Sequence, residues 1–149
     1  MVMTTSAPEK KLTNGKLLDK TVFITGGLSG IGKACAVAAA KEGANVVVVD
    51  IKSVTYDSAM REIQAENKKS IFIECDVTVT GQVKNAIEKT IEAFGSLDVA
   101  LNNAGINGGG ERVGNTTEED WNSVIHVNLS SVFICMKYEL TQMARQKNG

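Results

Sequence analysis

Four short runs rich in β-branched residues recur along the chain at near-even spacing, at residues 21–25, 45–50, 70–75 and 97–102, and a longer segment of helical character follows each. Within two of them, at residues 46–49 and 99–101, apolar side chains follow one another without alternation. That pattern predicts strands buried on both faces, as in a parallel sheet covered by helices on each side. Strands and helices that alternate in this way build consecutive βαβ units.

The helical segments differ in how they hide their apolar faces. Over residues 81–94, Val83, Ala86, Ile87, Thr90, Ile91 and Phe94 fall on one face, Lys84, Glu88 and Glu92 on the other, and Gly95 is placed to stop the helix. The segment 30–42 is rich in alanine, small enough to lie close against a sheet, and Gly43 ends it. Residues 54–67 carry a weaker helical pattern. A last helix is expected over residues 117–146, opened by Thr117 with Asp120 three residues on, a short-armed capping box. Its middle, 124–136, is apolar almost all round and must therefore be covered on two sides. His126, Asn128, Ser130 and Ser131 interrupt that stretch, and it is too short to span a bilayer. His126 sits on a different helix face from Asn128 and is assigned no role.

At 149 residues, with 43% hydrophobic and 22% charged content, the chain fits one globular domain, expected over 16–149 behind a flexible polar leader at 1–15. The leader has no apolar core of a secretory signal. Acids and bases are interspersed and sum to −1, which leaves no electrostatic footprint for nucleic acid or an acidic membrane and favours a small-molecule partner. Cys35, Cys75 and Cys135 lie far apart without a CxxC spacing, so they read as core residues of a reducing compartment, with no disulfide framework and no metal site. A cytoplasmic protein is expected.

The chemistry begins directly after the first run. Thr25-Gly26-Gly27-Leu28-Ser29-Gly30-Ile31-Gly32 leads into the alanine-rich helix. Glycines there permit a tight turn and let backbone approach a pyrophosphate, whose charge then faces the free N–H groups and positive end of the helix. The plainer reading is a glycine-rich turn. Asp50 closes the second run 18 residues after Gly32, where such a fold presents an acid to the ribose hydroxyls; the alternative is a polar residue that ends a buried strand. A carboxylate there repels a 2′-phosphate, and neither Leu28 nor Ser29 supplies a base, so NAD is favoured over NADP; Lys52 would soften the preference if it turned inward.

With these residues the chain resembles the short-chain dehydrogenase/reductase family, whose glycine motif has the same TGxxxGxG spacing. The resemblance implies a Rossmann-type doubly wound parallel sheet, here ending after the fourth βα unit, and a cofactor cradle of Gly26, Leu28, Ser29, Gly30, Ile31, Gly32 and Asp50. Asp76 and Val77 match the family's adenine-contacting pair, and Asn102-Asn103-Ala104-Gly105 matches its NNAG motif, with Asn103, Ala104 and Gly105 beside the cofactor. Read without the family, Asp76 is a turn residue and Asn102 a satisfied strand end. Asn128 matches the family's active-site asparagine, which holds a water in the proton relay; the alternative is a structural hydrogen bond in an apolar helix.

By the same resemblance the protein is an NAD-dependent oxidoreductase that moves hydride between an alcohol or carbonyl and NAD, and it assembles as a homodimer or homotetramer through its fourth helix. The family's catalytic serine and Tyr-x-x-x-Lys pair follow that helix. Tyr56 is followed four residues later by Met60 and Tyr138 by Gln142, so neither substitutes, and the 149-residue chain alone is expected to be a fragment without turnover. A rival reading is a non-catalytic nucleotide-binding or interaction protein built on the same half.

Overall fold

A computed structural model describes residues 15–149. The expected leader lies outside the described residues except for Gly15, whose carbonyl accepts from Leu18 N–H (3.1 Å) in the turn before the first strand. The strands are β1 (Thr21–Thr25), β2 (Asn45–Asp50), β3 (Ile71–Glu74) and β4 (Val99–Asn102). The helices are α1 (Gly30–Lys41), α2 (Tyr56–Glu66), α3 (Thr80–Phe94), α4 (Glu118–Ile125) and α5 (Ser131–Gln146).

The four strands form one parallel sheet in the order β3-β2-β1-β4. The chain steps outward from β1 to β3 and then returns to place β4 on the far side of β1, so the winding reverses between β1 and β4. In open sheets of this kind a ligand crevice forms at the carboxyl ends of the strands at that reversal. The register brings Thr25 beside both Val49 and Asn102, so the loops after β1, β2 and β4 leave the sheet side by side.

The unbroken valine run has a direct physical reading. Val46 and Val48 pack with Val22, Ile24 and Leu28 against Ala36 and Ala40 of α1 and Ala59, Met60 and Ile63 of α2. Val47 and Val49 face the other way, with Phe23 and Ile73, against Val83, Ala86 and Ile87 of α3 and Cys135 of α5. Each fully buried valine contributes about 1.5–3 kcal/mol, so loss of alternation marks a strand with two cores.

The edges depart from expectation. β4 begins at Val99 rather than 97, and its residues are half-buried or exposed, because among the described residues its only neighbour is β1. Leu97 is nevertheless fully buried, and the Asp98 carboxylate is drawn to the base of β1. It accepts from Thr21 N–H (2.9 Å), Ser96 Oγ (3.0 Å) and Lys20 Nζ (3.2 Å). Burial alone would raise this carboxyl, but those donors outweigh it and hold it below the usual range.

The expected continuous last helix is also interrupted. Thr117 caps α4 as anticipated, its Oγ1 accepting from Asp120 N–H (3.0 Å) and donating to Asp120 Oδ2 (2.7 Å). Between α4 and α5, residues His126–Ser130 form one π-helical turn, a widening often found where a helix side chain is committed to a site. The two-sided cover expected for this segment is absent among the described residues: Leu129, Phe133, Met136 and Leu140 are exposed. No helix among the described residues is long and apolar enough to cross a membrane, and no cluster of three His, Cys, Asp or Glu could hold a metal.

The cysteines are free thiols; Cys75 and Cys135 are buried, and Cys35 is half-buried. Burial and the nearby Asp76 push the Cys75 thiol up to about 11, and burial with Glu139 pushes Cys135 up to about 12. Thiols without thiolate character are inert, so alkylation of the native chain at neutral pH is expected to spare both until it is unfolded. Mass spectrometry of the labelled peptides checks this; prompt modification of either would contradict their burial.

Candidate functional site

The glycine segment turns sharply from β1 into α1, and two close approaches explain its composition. Gly26 adopts φ 66°, and its N–H donates to Val49 O (2.8 Å), carrying the sheet ladder into the turn. A Cβ on Gly32 would lie 2.2 Å from Gly26 O and 2.6 Å from Asn103 Nδ2, so the first turn of α1 can sit on the loop only without a side chain there. Ser29, the extended residue before α1, makes no side-chain cap. The first helical bond runs from Lys33 N–H to Ser29 O (3.0 Å), which leaves the N–H groups of Gly30, Ile31 and Gly32 without helical acceptors. The space beside Gly30 is open and Ile31 is exposed, whereas Leu28 is anchored in the core. Free donors, an open face and the positive end of a twelve-residue helix fit a pyrophosphate.

Asp50 reaches this loop from the end of β2. Its Oδ2 accepts from Leu28 N–H (3.0 Å) and its Oδ1 from Ile51 N–H (2.8 Å), so the carboxylate fixes the glycine loop. This second task has no signature in the motif. Lys52, two residues on, has its ammonium over the Tyr56 ring, 5.6 Å from the centroid. Tyr56 in turn packs edge-on against Phe72.

Across the winding reversal, Asn103 Nδ2 donates to Thr25 O (3.1 Å) and Gly26 O (3.2 Å). The buried Thr25 hydroxyl accepts from the N–H groups of both Asn103 (3.0 Å) and Ala104 (3.1 Å). Thr25 was not among the expected site residues, yet it ties the loops after β1 and β4 together; its signal was its place as the first letter of the glycine motif. Gly105 follows and is exposed.

Asn128 lies in the π turn and is exposed rather than buried. Its amide pairs twice with Ile106, Oδ1 accepting from the backbone N–H (2.8 Å) and Nδ2 donating to the carbonyl (2.9 Å), so it orients the loop that follows the NNAG segment. One N–H and one lone pair of the amide stay available. Asp76 makes a tight turn, its Oδ1 accepting from Thr78 N–H (2.9 Å) and Oγ1 (2.6 Å), and Val77 points into the core. Asn102 Nδ2 donates to the buried Glu139 Oε2 (2.8 Å), a partner that sequence reasoning missed altogether.

A family description, short chain dehydrogenase, matches residues 20–149. The chain belongs to this family. It is 39% identical over 129 residues to a 3beta-hydroxysteroid dehydrogenase of Mediterraneibacter gnavus, covering 87% of this chain and 47% of that protein. Among solved structures, NAD+-bound xylitol dehydrogenase superposes with a TM-score of 0.86 at 27% identity, over 90% of this chain and 52% of the other. An actinorhodin polyketide ketoreductase variant with NADPH superposes at 0.81 and 29% identity, over 87% and 50%. The chain thus spans about half the length of the curated relatives it matches. Members of this oxidoreductase family bind a nicotinamide cofactor.

Proposed function

We propose that this chain is the cofactor-binding part of a cytoplasmic NAD-dependent oxidoreductase that acts on a small alcohol or carbonyl. The observation that carries the preference for NAD is the Asp50 carboxylate at the rim of the glycine loop, with Lys52 turned onto Tyr56 instead of toward it. When bound, NAD supplies the hydride acceptor or donor. The free N–H groups of Gly30, Ile31 and Gly32 would hold the pyrophosphate in a turn that Gly26 sets, Asp50 would accept from the ribose hydroxyls, and Asp76 with the Val77 backbone would border the adenine. Asn103, Ala104 and Gly105 line the nicotinamide side, and Asn128 holds a water for proton relay with its remaining amide valences.

Titration of both cofactors tests this reading. Asp50→Asn keeps an acceptor for Leu28 N–H and removes the charge, and is expected to narrow the preference for NAD over NADP about tenfold, or about 1.4 kcal/mol. Asp50→Ala also frees the loop and weakens both cofactors. Equal affinity of the unmodified protein for NAD and NADP would overturn the assignment.

The stripe of Leu129, Phe133, Met136 and Leu140, exposed at i, i+4, i+7 and i+11, supports assembly with a second copy as a homodimer or homotetramer. Light scattering is expected to give a dimer or larger, and Phe133→Glu with Leu140→Glu to dissociate it. A monomer at micromolar concentration before mutation would count against this.

A further inference from the structure

Glu139 is an acid in the wrong place for a charge. It lies on the inner face of α5, 3% exposed, and among the described residues its one hydrogen-bond partner is the Asn102 amide at the end of β4. Two atoms of this pair are buried without partners: Glu139 Oε1 and Asn102 Oδ1. Both are acceptors when the acid is ionised, so neither can satisfy the other, and two orphaned oxygens at one contact are costly. One proton resolves both at once.

We propose that Glu139 is held as the neutral acid, its Oε1 hydroxyl donating to Asn102 Oδ1 while Asn102 Nδ2 donates to Oε2, a two-bond ring that locks α5 to the end of β4. The surroundings agree. Burial pushes the Glu139 carboxyl above its usual range, against the opposing pull of the Asn102 amide. No ion pair reaches it among the described residues. On α5 its near neighbour is the neutral Cys135 thiol, with Cys75 behind it. The charges of α3, which packs on α5, are Lys84, Glu88, Lys89 and Glu92 near its surface, and β4 carries none.

The ring has a functional position. Asn102 immediately precedes Asn103, which holds Gly26, and Asn128 of the π turn holds Ile106. Glu139 is therefore a positioning residue: the helical segment grips residues 102–106 at both ends, and the cofactor loops inherit that rigidity.

Infrared difference spectra of the folded chain against Glu139→Gln, at neutral pH, test the protonation directly. The expected result is loss of one protonated-carboxyl carbonyl band; loss of carboxylate bands instead would overturn the proposal. Thermal unfolding against pH gives a second readout. Because the acid is neutral when folded, its contribution is full below the ordinary glutamate range and is lost as pH rises through the raised value. Glu139→Gln, which can close the same ring with its amide, is expected to keep the melting temperature and flatten that dependence; an unchanged pH profile would contradict the ring. Glu139→Leu, which leaves Asn102 unpaired, is expected to melt several degrees lower, and if it fails to fold the glutamine variant alone decides. None of these readouts uses a cofactor, so their outcome is separate from that of the NAD assignment.

Discussion

Replacing Gly32 with alanine is expected to remove measurable dinucleotide binding, a loss of at least about a hundredfold or about 2.7 kcal/mol. The added carbon would sit 2.2 Å from Gly26 O and 2.6 Å from Asn103 Nδ2, neither of which can yield cheaply. Gly26 O is backbone in a turn already set at positive φ, and Asn103 Nδ2 is engaged with Thr25 and Gly26. The start of α1 must therefore lift off the loop, and the free N–H groups move away from where a pyrophosphate would lie. Gly81→Ala is the control: it lies within α3 with nothing within 4 Å of its Cβ position, and alanine is the better helix former. Calorimetric titration of the two variants with NAD separates the effects. Affinity in Gly32→Ala within threefold of the parent would show that the helix start does not bind the cofactor.

Thr25→Val is expected to be the more damaging change to the fold, though it alters almost no volume. The Thr25 hydroxyl is buried and accepts from two backbone N–H groups, of Asn103 and Ala104, that belong to the strand end across the winding reversal. Valine leaves both donors without that acceptor, at about 1–3 kcal/mol each. Against a marginal domain stability this is a large fraction. Denaturant unfolding measures the loss, and Thr25→Ser, which keeps the oxygen, is expected to recover most of it. A valine variant as stable as the parent would mean that the loops after β1 and β4 are held by something else.

The order of these elements is legible in the sequence, because periodicity and punctuation are local. An unbroken run of valines at 46–49 reports two buried faces through the spacing of neighbouring residues alone. The glycines after β1 announced a sharp turn into α1 because turn geometry constrains residue types over a few positions. The same logic erred where a local pattern had to stand for a distant contact. Residues 117–146 read as one helix, but Asn128 commits its amide to Ile106 and the segment widens there into a π turn.

Asp50 shows the division most clearly. Its presence after β2 was legible; its hold on Leu28 N–H was not, since the two are 22 positions apart and meet only when β1 and β2 lie in register. Thr25 with Asn103 and Asn102 with Glu139 are separated by 78 and 37 positions, and neither pair leaves any mark on the hydrophobic pattern. Residue spacing encodes which face of a strand or helix is apolar, so it determined the elements, their order and the glycine turn between β1 and α1. Which polar atom meets which depends on strand order and register, and those emerge only when the whole sheet closes on both of its helical layers.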